Sequence, residues 1–439
     1  MPKIAFIGAG SIEFTKNLLG DILSFPEIAD ATISLHDIDP GRLETSEAVA
    51  RWTNQALGAS ASIESHLDRR RCLDAADYVI NMIQVGGHAA TLLDFKIPKR
   101  YGLRQTIADT LGIGGIFRGL RTIPVMLDIA SDMAQVCPGA WLLNHTNPMA
   151  ILCWAVYEGS PIQNVVGLCH SVQHTTRQLA AYVGVPYEEV SFLAAGLNHQ
   201  AFILEFVRAG RDLYPLLDEV IERDPELARK VRVEIYRRFG FFPTESSEHA
   251  AEYVPWFMRH DEAVERFRVP IDEYVRRSEG NLAEYDRVKR ALKRGEGFEI
   301  ERSLEYASLI IHSMETGTEQ VIYGNVRNTG EIENLPRNCC IEIPCLVDGA
   351  GLHKVHIGAL PVQLAALNRT FINVVELTVR AALEESTEHV KHAAFLDPNA
   401  AASMTLDDID LLCDELIAAH EQFLPREMVA KAQASSPRG

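Results

Sequence analysis

Several features that would place the chain in a special class are missing from it. No run of about 18 apolar residues occurs anywhere in its 439 residues, so no segment reads as a membrane-spanning helix. The opening stretch, Met1 to Gly10, enters a strand pattern at once and lacks the long apolar core of a secretory leader. Cysteine is scarce. Eight residues are too few for a disulfide scaffold of this size, which points to a reducing cytoplasm and to free thiols or metal ligands. Positive charge is in deficit: 42 Lys and Arg stand against 60 Asp and Glu, a net −18, so neither nucleic acid nor an anionic membrane is an expected partner. Internal repeats and low-complexity segments are absent, and no Pro/Gly/Ser linker marks a domain boundary.

What remains is an ordinary globular composition, long enough for a large core in two domains. Residues 3–7 form an apolar run that stops at Gly8, as a buried strand of a parallel sheet does. Further strand patterns at 31–35, 77–83 and 140–143 alternate with helix patterns at 17–23, 42–56 and 123–136. This alternation predicts the α/β class, with an N-terminal Rossmann-like doubly wound sheet over residues 1–195. Beyond it, helix patterns at 225–238, 282–293, 371–384, 390–396 and 406–423, with strands at 321–327 and 340–347, predict a C-terminal α+β domain over residues 196–439.

Gly8-Ala9-Gly10-Ser11 lies between the first strand and the first helix, where a dinucleotide fingerprint belongs. Gly8 permits the tight turn, and Gly10 with Ser11 lets backbone approach a pyrophosphate at the helix N-terminus. The third glycine is replaced by Glu13. The second strand ends at Asp37 and Asp39, about where an acid holds a ribose 2′-hydroxyl, which favours NAD over NADP. Gly86, closing the 77–83 strand, joins the cofactor candidates. The alternative is a glycine turn that binds nothing.

Four polar segments interrupt the apolar pattern. Cys169-His170-Ser171 and Asn198-His199-Gln200 offer a thiol and imidazoles suited to a divalent transition metal. Thirty residues separate Cys169 from His199, so spacing alone favours a buried thiol and a satisfied core histidine. Asn144-His-Thr-Asn147 closes a strand on the side that faces ligands in such sheets, though Asn147 before Pro148 also suits a turn. Asp109 sits in a glycine-rich stretch, Gln105–Gly115, which reads either as backbone packed on a ligand or as a mobile loop.

Taken in order along the chain, these segments resemble glycoside hydrolase family 4. The resemblance runs through FIGAGS (6–11), QTIADTLG (105–112), RTIP (121–124), NPMA (147–150), GLCHSV (167–172), GLNH (196–199), TESSEH (244–249) and YGNVRN (323–328). The Cys-His-Ser-Val tetrad is similar to that of the α-galactosidase branch; phospho-glycosidase branches carry Asn or Asp where this chain has His170. That likeness implies NAD⁺ and a divalent metal, usually Mn²⁺. It implies oxidation of the sugar at C3, metal-assisted removal of the C2 proton, elimination of the aglycone, water addition and re-reduction. It assigns Cys169 and His199 to the metal and Asn147 and Asn198 to the sugar. Asn144 falls near the nicotinamide, Asp109 beside the catalytic base, and His170 at the departing oxygen. It also implies a homodimer or homotetramer. One departure stands out: relatives of this branch carry a tyrosine just before TESSEH, where this chain has Phe241 and Phe242. The base then stays open among Tyr236, His249 and Tyr253, and His249 is kept as a catalytic candidate.

The expected function is hydrolysis of small α-galactosides. An α-glucosidase, α-glucuronidase or α-galacturonidase of the same family is the alternative, a uronate requiring a cation such as Arg118, Arg121 or Arg327. A net NAD-dependent sugar dehydrogenase and a non-catalytic NAD sensor are the readings from other classes.

Overall fold

The computed structural model describes residues 1–435, and among them no helix is long and apolar enough to cross a membrane. The first six strands are β1 (Lys3–Ile7), β2 (Thr32–His36), β3 (Ser62–His66), β4 (Tyr78–Asn81), β5 (Trp141–Asn144) and β6 (Val165–Leu168). All six run parallel in the order β3-β2-β1-β4-β5-β6. The chain leaves β1 toward β2 and β3, then returns to β4 on the other side of β1. At that reversal the connections diverge and open a crevice beyond the strands' carboxyl ends. The α/β doubly wound expectation for the N-terminal half holds.

The second half extends the same sheet. It supplies β7 (Val190–Leu197), β8 (Gln200–Arg208), β9 (Arg211–Asp212), β10 (Phe242–Pro243), β11 (Gln320–Arg327), β12 (Cys340–Asp348) and β13 (Gly351–Lys354). β11 pairs antiparallel with β6, and β12, β7, β8 and β10 follow outward. A mixed sheet of thirteen strands therefore passes through both halves. Helices cover it, and most buried apolar side chains belong to one continuous core. A smaller cluster, with Phe202, Val231, Ala251 and Phe257 among its members, lies under the helix Ser247–Glu252.

Three elements depart from the sequence pattern. β3 has only one aliphatic residue, Ile63; as an edge strand with no fully buried position it needs no more. The polar turn Asn198-His199 joins β7 to β8 as a hairpin. The glycines at 112–115 open the long helix Gly112–Val136 instead of a loop. A Cβ on Gly114 would lie 2.3 Å from the Ala108 carbonyl oxygen, so the missing side chain is what lets the preceding loop rest on the helix's first turn.

Candidate active site

The glycine turn after β1 is tightly built. Gly8 adopts φ +82°, and a Cβ there would lie 2.9 Å from the Ile83 nitrogen, so both conformation and space require glycine. Gly10 N–H donates to Asp37 Oδ2 at 2.8 Å, which ties the turn to the end of β2. Ser11 precedes the helix Ile12–Leu23, and its hydroxyl makes no capping hydrogen bond. The two acids at the end of β2 take different tasks. Asp37 is buried against the turn, whereas Asp39 is exposed and caps the helix Pro40–Ala56 through Gly41 and Arg42 N–H. Gly86 caps the helix Gly87–Arg100 with φ +80°. Asn144 is fully buried; Asn81 Nδ2 donates to its Oδ1 at 2.8 Å, and its own Nδ2 donates to the Thr146 carbonyl. It braces the loop after β5 from beneath.

Beyond β6 the other candidates converge. Cys169 is the first residue past that strand, and its Sγ lies 3.4 Å from His199 Nε2. His199 occupies the β7–β8 turn at φ +63°, a conformation that costs a non-glycine residue about 1–3 kcal/mol and is kept where surroundings enforce it. Its Nε2 is 3.4 Å from Glu245 Oε1, and Glu245 is left-handed too, at φ +68°. Glu245 Oε2 lies 3.2 Å from His249 Nδ1, and His249 Nε2 lies 3.7 Å from Asp109 Oδ1. Asn147 Nδ2 donates to Asp109 Oδ2 at 3.3 Å, and Arg118 Nε donates to the Asn147 carbonyl at 3.1 Å. Two overlapping groups, Cys169/His199/Glu245 and Asp109/His199/His249, each hold their donor atoms within 4.8 Å of one another.

Electrostatics polarises this chain of contacts. Burial pulls His199 down to about 4, so its ring is neutral. Its Nδ1 faces the Tyr253 hydroxyl at 3.3 Å, which leaves the Nε2 lone pair toward Cys169 and Glu245. Burial, with Glu342 and Glu245 adding to it, pushes the Cys169 thiol well up. Burial alone would lower His249, but Glu245 and Asp109 outweigh it and carry the imidazole up to about 10. Burial would raise both carboxyls; the His249 imidazolium outweighs it, with Arg118 adding to it at Asp109, and holds both well below the carboxylate range.

A second carboxylate bridge stands beside the first. Glu305 Oε1 is 3.1 Å from His170 Nδ1, and its Oε2 is 3.3 Å from His145 Nδ1. Burial opposes the charge on His170, but the Glu305 carboxylate outweighs it and raises the imidazole. Asn198 Nδ2 donates to Glu342 at 3.3 Å; Glu342 is fully buried on β12, and burial pushes it up to about 7. Asn147 Oδ1 and Asn198 Oδ1 are both buried without a hydrogen-bond partner. The helix Glu273–Lys293 crosses above the strand ends. Arg118 Nη1 donates to its Tyr274 hydroxyl at 3.2 Å, its Ser278 bonds His88 at 2.8 Å, and the Arg42 guanidinium stacks 4.6 Å over its Tyr285.

Of the three groups left open as base, none is a free acceptor here. Tyr236 donates its hydroxyl to Asp218 at 2.7 Å. His249 is an imidazolium between two carboxylates, and burial pushes the Tyr253 hydroxyl well up. Phe241 and Phe242 pack into core clusters. Glu245, Glu305 and Glu342 were not singled out from sequence. Glu245, His249 and Glu252 follow helical spacing in Thr244–Tyr253, a usable sign of one polar face, and Glu342 interrupts the apolar interior of a strand. Glu305 lies in an irregular charged stretch that carries no such signal.

Comparison with known proteins adds to this geometry. A family model described as "Family 4 glycosyl hydrolase" matches residues 3–185, and one described as "Family 4 glycosyl hydrolase C-terminal domain" matches residues 194–400. The chain is 45% identical to an alpha-galactosidase of Bacillus subtilis (strain 168), across 97% of this chain and 99% of that protein. It is 35% identical to an alpha-galactosidase of Rhizobium meliloti (strain 1021), across 97% and 89%. A solved 6-phospho-alpha-glucosidase from gut microorganisms, in complex with NAD and Mn²⁺, has the same fold. Its TM-score is 0.82 at 19% identity, covering 97% of this chain and 99% of that one.

Proposed function

The chain belongs to the family 4 glycosyl hydrolases and is a glycoside hydrolase, and on that premise we propose that it cleaves α-galactosides with NAD⁺ and a divalent cation such as Mn²⁺. The observation that carries this reading is the thiol–imidazole–carboxylate cluster, set at the same strand ends as the glycine turn. Sulfur, nitrogen and oxygen donors from Cys169, His199 and Glu245 fit a divalent transition ion, and binding would displace the thiol proton. The glycine turn, the free Ser11 hydroxyl and Asp37 fit a dinucleotide. When bound, NAD⁺ supplies reversible oxidation at the sugar's C3 and the cation acidifies the C2 proton as a Lewis acid.

The remaining work falls to the chain's own groups. Asn147 and Asn198 offer sugar hydroxyls the two buried oxygens that lack partners. Asp109 orients Asn147 by accepting from its amide. With Glu245 given to the cation, the ionised carboxylate of Asp109 is the proton acceptor left in the cluster. His170, held through Nδ1 by Glu305, keeps Nε2 for the departing oxygen. A neutral sugar is supported by how the three weighed arginines are spent. Arg121 makes a two-pronged pair with Asp94, Arg327 pairs with Glu158 at the surface, and Arg118 is engaged by Asp109, Asn147 and Tyr274.

The test is hydrolysis of p-nitrophenyl α-D-galactoside with NAD⁺, Mn²⁺ and a thiol reductant, repeated without each and after EDTA. Nitrophenol release that needs all of them, without NADH absorbance building up at 340 nm, is the expected result. A panel of α-glucoside, α-glucuronide, α-galacturonide and 6-phospho-glycosides runs alongside. Faster cleavage of any of these overturns the galactoside assignment. Stoichiometric NADH from a free sugar overturns the hydrolytic mechanism.

A further inference from the structure

We propose that Glu252 is a positioning residue that holds the Asp109 loop in its working conformation; the inference rests on the role proposed above for Asp109, which faces His249. Glu252 is 3% exposed, on the helix Ser247–Glu252 that also carries His249. Its carboxylate accepts three consecutive backbone N–H groups: Thr106 at 2.8 Å, Ile107 at 3.2 Å and Ala108 at 2.9 Å. Ala108 is left-handed, at φ +51°. Successive N–H groups on a bent, partly left-handed segment form a nest that binds an anion. Here the anion is the chain's own side chain, and the next residue, Asp109, projects from the rim of the nest.

The same helix grips the loop a second time, where Thr106 Oγ1 donates to the Glu248 carbonyl at 2.7 Å. Glu252 and His249 are three positions apart on one helix, so the anchor and the partner of Asp109 move as one body. The separation between Asp109 Oδ1 and His249 Nε2, 3.7 Å, is thereby set by the anchor. Hydrogen bonds are what offset the cost of burying this carboxylate. An amide at position 252 would keep the volume, lose one acceptor oxygen and turn an NH₂ group against N–H donors.

A double-mutant cycle separates positioning from simple support. Glu252→Gln, Asp109→Asn and the double variant are compared for kcat, KM, Mn²⁺ affinity and thermal unfolding. Misplacing a reacting group by about 1 Å costs on the order of 100-fold in rate, so Glu252→Gln is expected to lose about 10–100-fold in kcat. KM, Mn²⁺ affinity and the unfolding midpoint are expected to stay close to the parent's. The double variant is expected to be no slower than Asp109→Asn alone, because Glu252 acts through Asp109. Additive losses in the double variant overturn the inference and leave the site reading intact. Loss of activity in step with Mn²⁺ affinity or unfolding midpoint also overturns it, in favour of packing. An Asp109→Asn enzyme of full activity overturns both the inference and the role of Asp109. If Glu252→Gln does not fold, Glu252→Asp, which keeps the charge and shortens the arm by one methylene, is carried through the same cycle.

Discussion

A single hydroxyl decides which face of His199 is available. Tyr253 sits 3.3 Å from Nδ1, on the far side of the ring from Cys169. Removing it in Tyr253→Phe should leave the fold in place and weaken divalent-metal affinity about 10–100-fold, read from the Mn²⁺ dependence of activity. An unchanged Mn²⁺ dependence would count against His199 as a ligand oriented in this way. A second residue links burial to pH. Burial pushes Asp397 up to about 7, with Glu252 nearby adding to the effect and the Ala400 and Asn399 N–H groups opposing it. Between pH 4 and 7 the unfolded chain has released this proton and the native chain retains it, so native stability falls as pH rises through that window. Asp397→Asn keeps a capping oxygen and removes the ionisation. Its unfolding temperature should exceed the parent's at pH 8 and match it near pH 4; equal curves at both would refute the assignment. At this scale the sequence was only partly legible. Cys169 and His199 are far apart along the chain, and only family resemblance united them, because their meeting depends on strand pairing across the sheet. Glu305 bore no mark at all, since its role comes from where an irregular segment happens to end.

The element scale was read more easily where one period dominated. β1 and β2 are short, buried and apolar, so their pattern was plain. β3 and the β7–β8 hairpin were not read, one because an edge strand need not be apolar, the other because its turn carries site chemistry instead of turn residues. The glycine run at 112–115 misled in the opposite direction, since its glycines serve contact between a loop and a helix. Gly114→Ala tests that contact. A methyl group 2.3 Å from the Ala108 carbonyl must lift the loop, at a cost of about 1–3 kcal/mol typical of overpacking. Activity should fall at least about 10-fold through Asp109, while dinucleotide affinity, built on β1 and β2, should hold. Equal loss of both would locate the damage elsewhere.

For the whole molecule the continuous sheet matters most. Sequence patterns described two halves without showing that β6 and β11 join them through Leu168–Gly324 and Gly167–Asn325 pairing. Asn325 Nδ2 reinforces that seam by donating to the Gly167 carbonyl at 3.2 Å. Residues 1–189 expressed alone would bare the β6 edge, an invitation to aggregation. The full chain should unfold in one calorimetric transition, and the fragment should be insoluble or fail to unfold cooperatively; two transitions, or a soluble cooperative fragment, would contradict this. A sheet without a break also has no hinge. The halves cannot swing apart like jaws to admit a sugar, because any such axis would have to tear a ladder of backbone hydrogen bonds. Traffic is left to what lies over the strand ends, and the helix Glu273–Lys293 is fastened there by side chains at Tyr274, Ser278 and Tyr285 and by one backbone hydrogen bond, from Tyr274 N–H to the Thr106 carbonyl. Against so rigid a wall, these few fastenings are the part that can give way without breaking a strand ladder.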